Sequence, residues 1–206
     1  MFRAPYNSAM EASFGRRHIS VSIFALLCIA VLVAGASQTA RAQSAADEYQ
    51  VKAAFLFHFA QFVDWPAGVL TASDPSLTLC IFKDEPRGME FQSTIEGKTL
   101  GSRVFHVRLI SQLQEIEECN ILFLSRDQTR RQTAILQSLR GLGILTVGET
   151  PNFLSDGGII RFHLVEDKIR FDINLEAAEA AHIKISSRLL LLATSVTRGH
   201  GTDGRR

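Results

Sequence analysis

The fold is decided by the stretch Cys119-Asn120-Ile121-Leu122-Phe123-Leu124-Ser125, which is a nearly continuous apolar run. Runs of this kind form strands that are buried on both faces of a sheet. A second such run follows at residues 144–147. The residues between them, 127–140, have the apolar spacing of a helix, with Asp127 as its candidate N-cap. Two buried strands joined by a helix predict a parallel α/β sheet that is covered on both faces.

Further elements are predicted on either side of this unit. Upstream, the pattern predicts a helix over residues 47–63, a strand over 77–82, a short helix over 89–95 and a strand over 104–107. Downstream, it predicts an antiparallel hairpin of residues 159–165 and 168–173, a helix over 175–181 that Asn174 begins, and a last helix that Ser186 or Ser187 caps. The predicted fold is a single three-layer α/β domain, with a mixed, mostly parallel sheet flanked by helices and a C-terminal antiparallel hairpin.

The first 42 residues have the order of a secretory signal peptide. Arg16 and Arg17 precede the apolar run 19–35, and Ala40 and Ala42 form an A-x-A cleavage pattern. The alternative is a membrane anchor, but this run is at or below the ~17–25 residues that span a bilayer. The sequence therefore predicts a signal peptide at residues 1–42 and an exported domain at residues 43–206, with an ordered core at about 47–196.

Charge and motifs exclude several classes of function. Without residues 1–42 the chain keeps 18 basic and 20 acidic residues, a net formal charge of about −2, so no nucleic-acid partner is expected. The sequence contains no G-x-S-x-G, H-E-x-x-H or phosphate-loop motif, and its histidines are dispersed. We therefore expect no catalytic residues, no metal site and no cofactor. The two remaining cysteines, Cys80 and Cys119, most simply form one disulfide in an exported chain, and two buried free thiols are the alternative.

One strand of the predicted hairpin carries an unusual polar series. Arg170, Asp172 and Asn174 lie on one face of it by period-two spacing, and Arg161 and His163 alternate with apolar residues on its neighbour. One interpretation is a solvated face with a cross-strand ion pair from Asp172 to Arg161 or His163. The other is the polar rim of a recognition surface.

Taken together, these segments resemble the YfiR family of exported regulators. The matching pieces, in chain order, are residues 48–56 (EYQVKAAFL), 62–66 (FVDWP), 77–82 (LTLCIF), 119–125 (CNILFLS), 144–149 (ILTVGE), 157–160 (GGII), 169–175 (IRFDINL) and 185–190 (ISSRLL). The resemblance implies a periplasmic, dimeric α/β domain that is not an enzyme. It also implies that the domain binds the periplasmic sensor region of a membrane-bound GGDEF diguanylate cyclase and holds that cyclase inactive, which lowers cyclic-di-GMP and restrains biofilm formation.

The resemblance also carries expectations about single residues. Cys80 and Cys119 occupy the family's disulfide positions, whereas a second cysteine pair that some members have around the Gly-Gly turn is missing here. Asp172 matches the acidic position of the family's F-[D/E]-x-N strand, a region implicated in contacts with the partner and with a possible small-molecule ligand. The residues expected to bind the partner or a ligand are Arg170, Asp172, Asn174 and Ala178.

Two alternatives remain open at this point. The domain could be a periplasmic ligand-binding module that serves another membrane sensor, such as a histidine kinase. It could also be a small exported hydrolase, in which serine, histidine and aspartate would have to converge in space.

Overall fold

The computed structural model describes residues 47–70 and 74–198, and the predicted signal peptide lies outside this part of the chain. None of the helices in the described part is long and apolar enough to cross a membrane. The elements in chain order are α1 (residues 47–59), β1 (Val63–Asp64), β2 (Ser76–Phe82), α2 (Gly88–Ile95), β3 (Thr99–Leu100), β4 (Arg103–Ile110), β5 (Ile121–Leu124), α3 (Thr129–Ser138), β6 (Leu145–Gly148), β7 (Ile160–Val165), β8 (Lys168–Asn174), α4 (Leu175–Ala180), β9 (Lys184–Ile185), α5 (Ser187–Leu192) and β10 (Ser195–Thr197).

Most of these strands form one eight-stranded mixed sheet. Its order is β10-β8-β7-β6-β5-β2-β4-β3, and β1 pairs with β9 in a separate two-stranded sheet. The pairs from β4 through β2, β5 and β6 to β7 are parallel, as is the β10–β8 pair, whereas β7–β8 and β3–β4 are antiparallel. The mixed, mostly parallel sheet predicted from the sequence is therefore confirmed.

Helices cover both faces of this sheet. On one face, side chains of β2, β5 and β6 pack with α1, α2, α4 and α5 in a core that includes Leu56, Phe59 and Phe91. On the other face, alternate residues of β2 and β5, together with Ile144 directly before β6, pack with α3 around Ile135 and Leu136. Every residue of β5 and β6 is buried, as expected for strands covered on both sides. The three-layer arrangement follows from this double burial.

The hairpin and the caps at Asn174 and Ser186 form where the sequence predicts them, whereas the predicted cap at Asp127 is wrong, because Asp127 lies in a 3₁₀ turn and α3 begins at Thr129 with Gln128 as its N-cap. β7 and β8 pair in register from Ile160–Ile173 to Val165–Lys168. Glu166 and Asp167 join the two strands, and both have left-handed backbone angles (φ 49° and 57°), as a two-residue hairpin turn requires. The Asn174 side chain accepts a hydrogen bond from Ala177 N and begins α4, and the Ser186 side chain caps α5.

Some element bounds differ from the sequence prediction. The first helix is α-helical only to residue 59, and after a short 3₁₀ turn Val63 pairs with Ile185 in β1–β9. The strand predicted over residues 104–107 runs over Arg103–Ile110, because it pairs with all seven residues of β2. This strand is only partly buried, and its polar residues interrupt the apolar pattern. The sequence pattern therefore does not reveal its full length.

A turn segment of residues 149–158 connects β6 to β7 and is anchored by Phe153. The Phe153 ring is fully buried between the backbones of Gly148 and Gly158, and a Cβ atom at either glycine would overlap the ring. Glycine is therefore required at both positions. The segment contains no regular helix or strand, but it is held against the sheet.

A disulfide joins Cys80 in β2 to Cys119 just before β5, with Cα atoms 5.8 Å apart. This distance lies within the usual range of about 4.4–6.8 Å. Both cysteines are buried in the core that faces α3. The bond closes a loop with a sequence separation of 39 residues and ties together two neighbouring strands at the centre of the sheet.

Reduction of this disulfide should destabilise the fold. The chain-entropy model gives a loss of about 4 kcal/mol for a loop of this length, because the reduced unfolded chain has more conformations. Urea unfolding of the oxidised and reduced protein measures the difference. A Cys80→Ala/Cys119→Ala variant is the control, because its midpoint should not respond to reductant. Equal midpoints for the oxidised and reduced wild type would contradict the prediction.

Candidate functional site

Asp172, an acidic side chain of the hairpin, lies in a row of three paired residues. The register places Arg161 of β7 on one side of it and Ser195 of β10 on the other. Arg161 Nη2 donates to Asp172 Oδ2 at 2.5 Å, and Ser195 Oγ donates to Asp172 Oδ1 at 2.7 Å. Only 3% of Asp172 is exposed. The carboxylate therefore ties three strands together from inside the protein.

Two further contacts surround this carboxylate. Arg161 Nη1 donates to the carbonyl oxygen of Pro151 at 2.7 Å, so the same guanidinium also holds the turn segment of residues 149–158. His163 Nδ1 lies 3.2 Å from Asp172 Oδ2, but the two atoms lack hydrogen-bonding geometry. We regard this contact as electrostatic, and it is attractive when the imidazole is protonated. Arg161 is thus the principal partner of Asp172.

The four predicted binding residues occupy different environments. Arg170 is exposed on β8, opposite His163. Asp172 is buried in the row described above. Asn174 caps α4, and its Nδ2 donates to the carbonyl oxygen of Leu154 at 3.0 Å. Ala178 is completely buried in the core. Of the four, Arg170 is the one that offers an exposed charge. Asp172 and Ala178 are buried, and Asn174 is partly buried.

A cavity of about 260 Å³ lies beside Asn174, between α3 and α4. Its lining combines apolar side chains with a few polar ones and includes Leu136, Arg140, Leu154, Asn174, Glu176 and Ala177. The exposed lining is somewhat more polar than apolar, whereas most small-molecule sites are predominantly apolar, and the volume is slightly below the ~300–1,000 Å³ of most ligand pockets. The cavity can accept a small ligand next to the end of β8.

A serine, an aspartate and a histidine converge in this region, but not in a catalytic order. Asp172 lies between Ser195 and His163 and contacts both. Nucleophilic catalysis needs the histidine between the other two, so that it can take the proton of the serine. The arrangement here instead pairs the serine hydroxyl with a carboxylate, and its effect is to join strands.

A second cluster of buried charges includes Glu149, the first residue of the turn segment, and is not evident from the sequence. Lys52 of α1 is 2% exposed. Its Nζ is 2.5 Å from Glu48 Oε1 and 2.7 Å from Glu149 Oε1, directly after β6. Tyr49 donates to Glu149 Oε2 at 3.4 Å. The i, i+4 spacing of Glu48 and Lys52 hints at one pair, but residues 52 and 149 are too far apart in sequence to be linked by any local pattern.

Burial dominates the electrostatics of this second cluster. It raises the pKa of the Glu149 carboxyl, although the Lys52 ammonium opposes the rise. Burial also raises the pKa of the Tyr49 hydroxyl, and the charges of Glu149 and Glu85 raise it further. Tyr49 therefore stays protonated and serves as a hydrogen-bond donor.

Comparison with known proteins identifies the family. A sequence model described as YfiR/HmsC-like matches residues 49–194, which is most of the chain and includes both clusters except for Glu48 and Ser195 at its margins. The chain belongs to the YfiR/HmsC-like family. Members of this family are periplasmic regulators of diguanylate cyclase systems, and they regulate rather than catalyse. At that level the resemblance seen in the sequence is confirmed.

Other comparisons add little to this assignment. No curated protein matches the chain. Among solved structures, a conserved domain protein from Vibrio cholerae O1 biovar eltor matches with 11% identity and a TM-score of 0.47, covering 61% of this chain and 55% of that one. The ABC domain in complex with L-Trp from Streptococcus pneumonia matches with 11% identity and a TM-score of 0.45, covering 63% and 57%. The chain spans just over half of these structures, and likeness at this level supports no argument about function.

Substitution of Asp172 tests its role in joining the strands. Asp172→Asn removes the charge that pairs with Arg161, so we expect a loss of roughly 1.5–3 kcal/mol in the free energy of unfolding. Asp167→Asn is the matched control. It makes the same chemical change at an exposed turn residue, where asparagine tolerates the left-handed backbone, and should change stability by less than about 0.5 kcal/mol. Equal stabilities of the two variants in urea unfolding would contradict this role.

Substitution of Lys52 should have an effect that depends on pH. Lys52→Met leaves the Glu149 carboxylate buried without its closest cation, so we expect a loss of about 3–5 kcal/mol near neutral pH. A carboxyl whose pKa is raised by folding contributes stability below its unfolded pKa of about 4.3, and that contribution is lost as pH rises through the folded pKa. The loss caused by Lys52→Met should therefore shrink as the pH is lowered.

Urea unfolding at a series of pH values measures this dependence. Lys168→Met, at an exposed position of the hairpin, is the control and should show little effect at any pH. A loss in Lys52→Met that stays constant or grows toward acid would show that the buried Glu149 charge is not its cause.

Proposed function

We propose that this protein binds the periplasmic sensor region of an inner-membrane GGDEF diguanylate cyclase and represses that cyclase, lowering cyclic-di-GMP. Family membership over residues 49–194 is the observation that carries the proposal. The mechanism is differential binding. The domain binds the inactive state of the sensor region more tightly than the active state and thereby shifts the equilibrium toward inactivity.

The proposal includes export and dimer formation. Residues 1–42 direct the chain to the periplasm and are removed there. An oxidising compartment of this kind allows the Cys80–Cys119 disulfide to form and persist. We also propose that the mature protein is a homodimer, as the resemblance implies.

We propose that the contact surface centres on Arg170, with Asp172 as a positioning residue. Arg170 is exposed on β8, two residues from Asp172 on the same face of the strand. Asp172 fixes β8 between β7 and β10 and so holds the Arg170 side of the hairpin in place. An exposed arginine suits an acidic segment of the partner, because opposite charges steer association and favour the correct partner.

A ligand in the cavity beside Asn174 is the release signal that this arrangement favours. Asn174 ends β8 and caps α4, so a molecule bound against it would act on both elements. Ala178 lies behind this position in α4. The cavity also supports the second candidate function, a ligand-binding module that serves a different membrane sensor such as a histidine kinase. Deletion of the gene distinguishes the two candidates. Loss of a cyclase repressor raises cyclic-di-GMP, whereas loss of a module that serves another sensor leaves it unchanged.

Deletion of the gene should raise cellular cyclic-di-GMP and increase biofilm formation. Wild-type protein should restore the low level, and Arg170→Glu should fail to do so, because charge reversal weakens binding to the purified sensor region by about tenfold or more. Arg130→Glu is the matched control, with the same change at an exposed residue of α3.

Each outcome decides one part of the proposal. Unchanged cyclic-di-GMP after deletion would reject repression of a cyclase and favour another membrane sensor. Full restoration by Arg170→Glu, with the variant folded and secreted like the control, would reject the Arg170 surface but not the repressor function.

A further inference from the structure

A second cavity, larger than the one beside Asn174, lies at the amino ends of the parallel strands β2 and β4. Leu77 near the start of β2 and Arg103 at the start of β4 line it, together with Leu100 of β3 and the chain around Trp65. Its volume is about 530 Å³, which lies within the ~300–1,000 Å³ of most ligand pockets. None of the residues that line this cavity beside Trp65 takes part in the two polar clusters described above.

Contacts with the sheet hold the Trp65 side of this cavity in place. Trp65 Nε1 donates to the carbonyl oxygen of Asn120, directly before β5, at 3.3 Å. The chain after Trp65 also packs closely against the segment before β6, because a Cβ atom at Gly143 would overlap the side chains of Pro66 and Val69. This wall of the cavity is therefore fixed by the protein itself, and preformed walls are usual for small-molecule sites.

The exposed lining of the cavity is about evenly polar and apolar. Its apolar part comes from Trp65 and from the leucines Leu70, Leu77 and Leu100, which lie in different parts of the chain. Trp65, Leu70 and Leu100 are only partly buried, so some of their apolar surface remains for a ligand to cover. Removal of that surface from water favours binding. A ligand of this cavity therefore needs an apolar body.

The charged groups of the lining favour an anion with a single charge. Among the described residues that line the cavity, Arg103 carries the one positive charge and Asp64 the one negative charge. Arg103 is partly buried, whereas Asp64 is exposed. Solvent and salt screen an exposed charge more strongly, so Arg103 dominates the electrostatics of the cavity. Because Asp64 borders the same cavity, it opposes a second negative charge on the ligand.

A guanidinium group matches a carboxylate in shape as well as in charge. Its planar fork can donate parallel hydrogen bonds to both carboxylate oxygens. Arg103 also has a contact within the protein, but a guanidinium has further N–H donors and can bind a carboxylate in addition. The anionic group that suits Arg103 best is therefore a carboxylate.

We propose that the cavity beside Trp65 binds a small organic monocarboxylate that has an apolar body. Arg103 binds the carboxylate, and Trp65 and the leucines of the lining contact the apolar body. This site does not depend on the proposed function, because none of its residues belongs to the Arg170 surface or to the cavity beside Asn174.

Calorimetric titration of the oxidised protein tests whether such a molecule binds, and the fluorescence of Trp65 tests where it binds. Trp65 is the only tryptophan of the chain, so a saturable change in its emission reports a ligand at this cavity. The probe is 3-phenylpropionate. Its matched probes are 3-phenylpropan-1-ol, which lacks the charge, and propionate, which lacks the apolar ring. We expect 3-phenylpropionate to bind and to change the Trp65 emission, and each matched probe to bind at least about tenfold more weakly.

Arg103→Gln should weaken the binding of 3-phenylpropionate about tenfold or more, and Leu100→Ala should weaken it several-fold. Arg108→Gln is the control variant. It makes the same change further along β4, at a residue that does not line the cavity, and should bind like the wild type.

The proposal is overturned if 3-phenylpropionate does not bind, if either matched probe binds equally well, if binding leaves the Trp65 emission unchanged, or if Arg103→Gln binds like the wild type. Circular dichroism establishes that each variant is folded. If Arg103→Gln does not fold, Leu100→Ala decides, and unchanged affinity in that variant rejects the site.

Discussion

Burial of the central strands on both faces is the constraint on which the rest of this structure depends. All side chains of β5 and β6 are removed from water, and those of β2 nearly so. Strands of this kind need a cover on each side, because burial of their apolar area is the main favourable term in folding. The helices supply that cover. The positions that remain for clusters of polar side chains are the ends of the strands and the outer strands of the sheet. Both buried polar clusters occur there.

Asp172, the acidic residue of the hairpin, has a structural role that its position in the sequence does not reveal. A carboxylate with 3% exposure cannot be the part of a surface that a partner first meets. Asp172 instead fixes Arg161, and Arg161 holds the turn segment through Pro151. That turn segment begins at Glu149, which accepts from Lys52 of α1. The turn segment of residues 149–158 therefore takes part in both clusters. Glu149 accepts from Lys52 in one, and the carbonyl oxygen of Pro151 accepts from Arg161 in the other.

The sequence predicts those features whose causes are local. The runs of residues 119–125 and 144–147 have no polar face, so their double burial can be read directly from the sequence. Likewise, Asn174 has the side chain of a helix cap and caps α4. The short strands β1, β3, β9 and β10 have two or three residues and no periodicity, so their pairing comes from tertiary contacts. The ion pair of Lys52 with Glu149 and the cavity beside Trp65 arise between distant segments, and spacing carries no signal for them.

The two-residue turn at Glu166 and Asp167 has a consequence for how the molecule assembles. The β7–β8 hairpin closes over neighbouring residues, whereas each parallel pair must first bring together segments separated by a long crossover. Contacts that are close in sequence cost less loop entropy and form sooner. We therefore expect the Arg161–Asp172 pair to exist on a preformed hairpin, onto which the parallel half of the sheet condenses and to which Ser195 is added last. In such an order, the chain acquires the Arg161–Asp172 pair before its central core, and the row is complete only when β10 brings in Ser195.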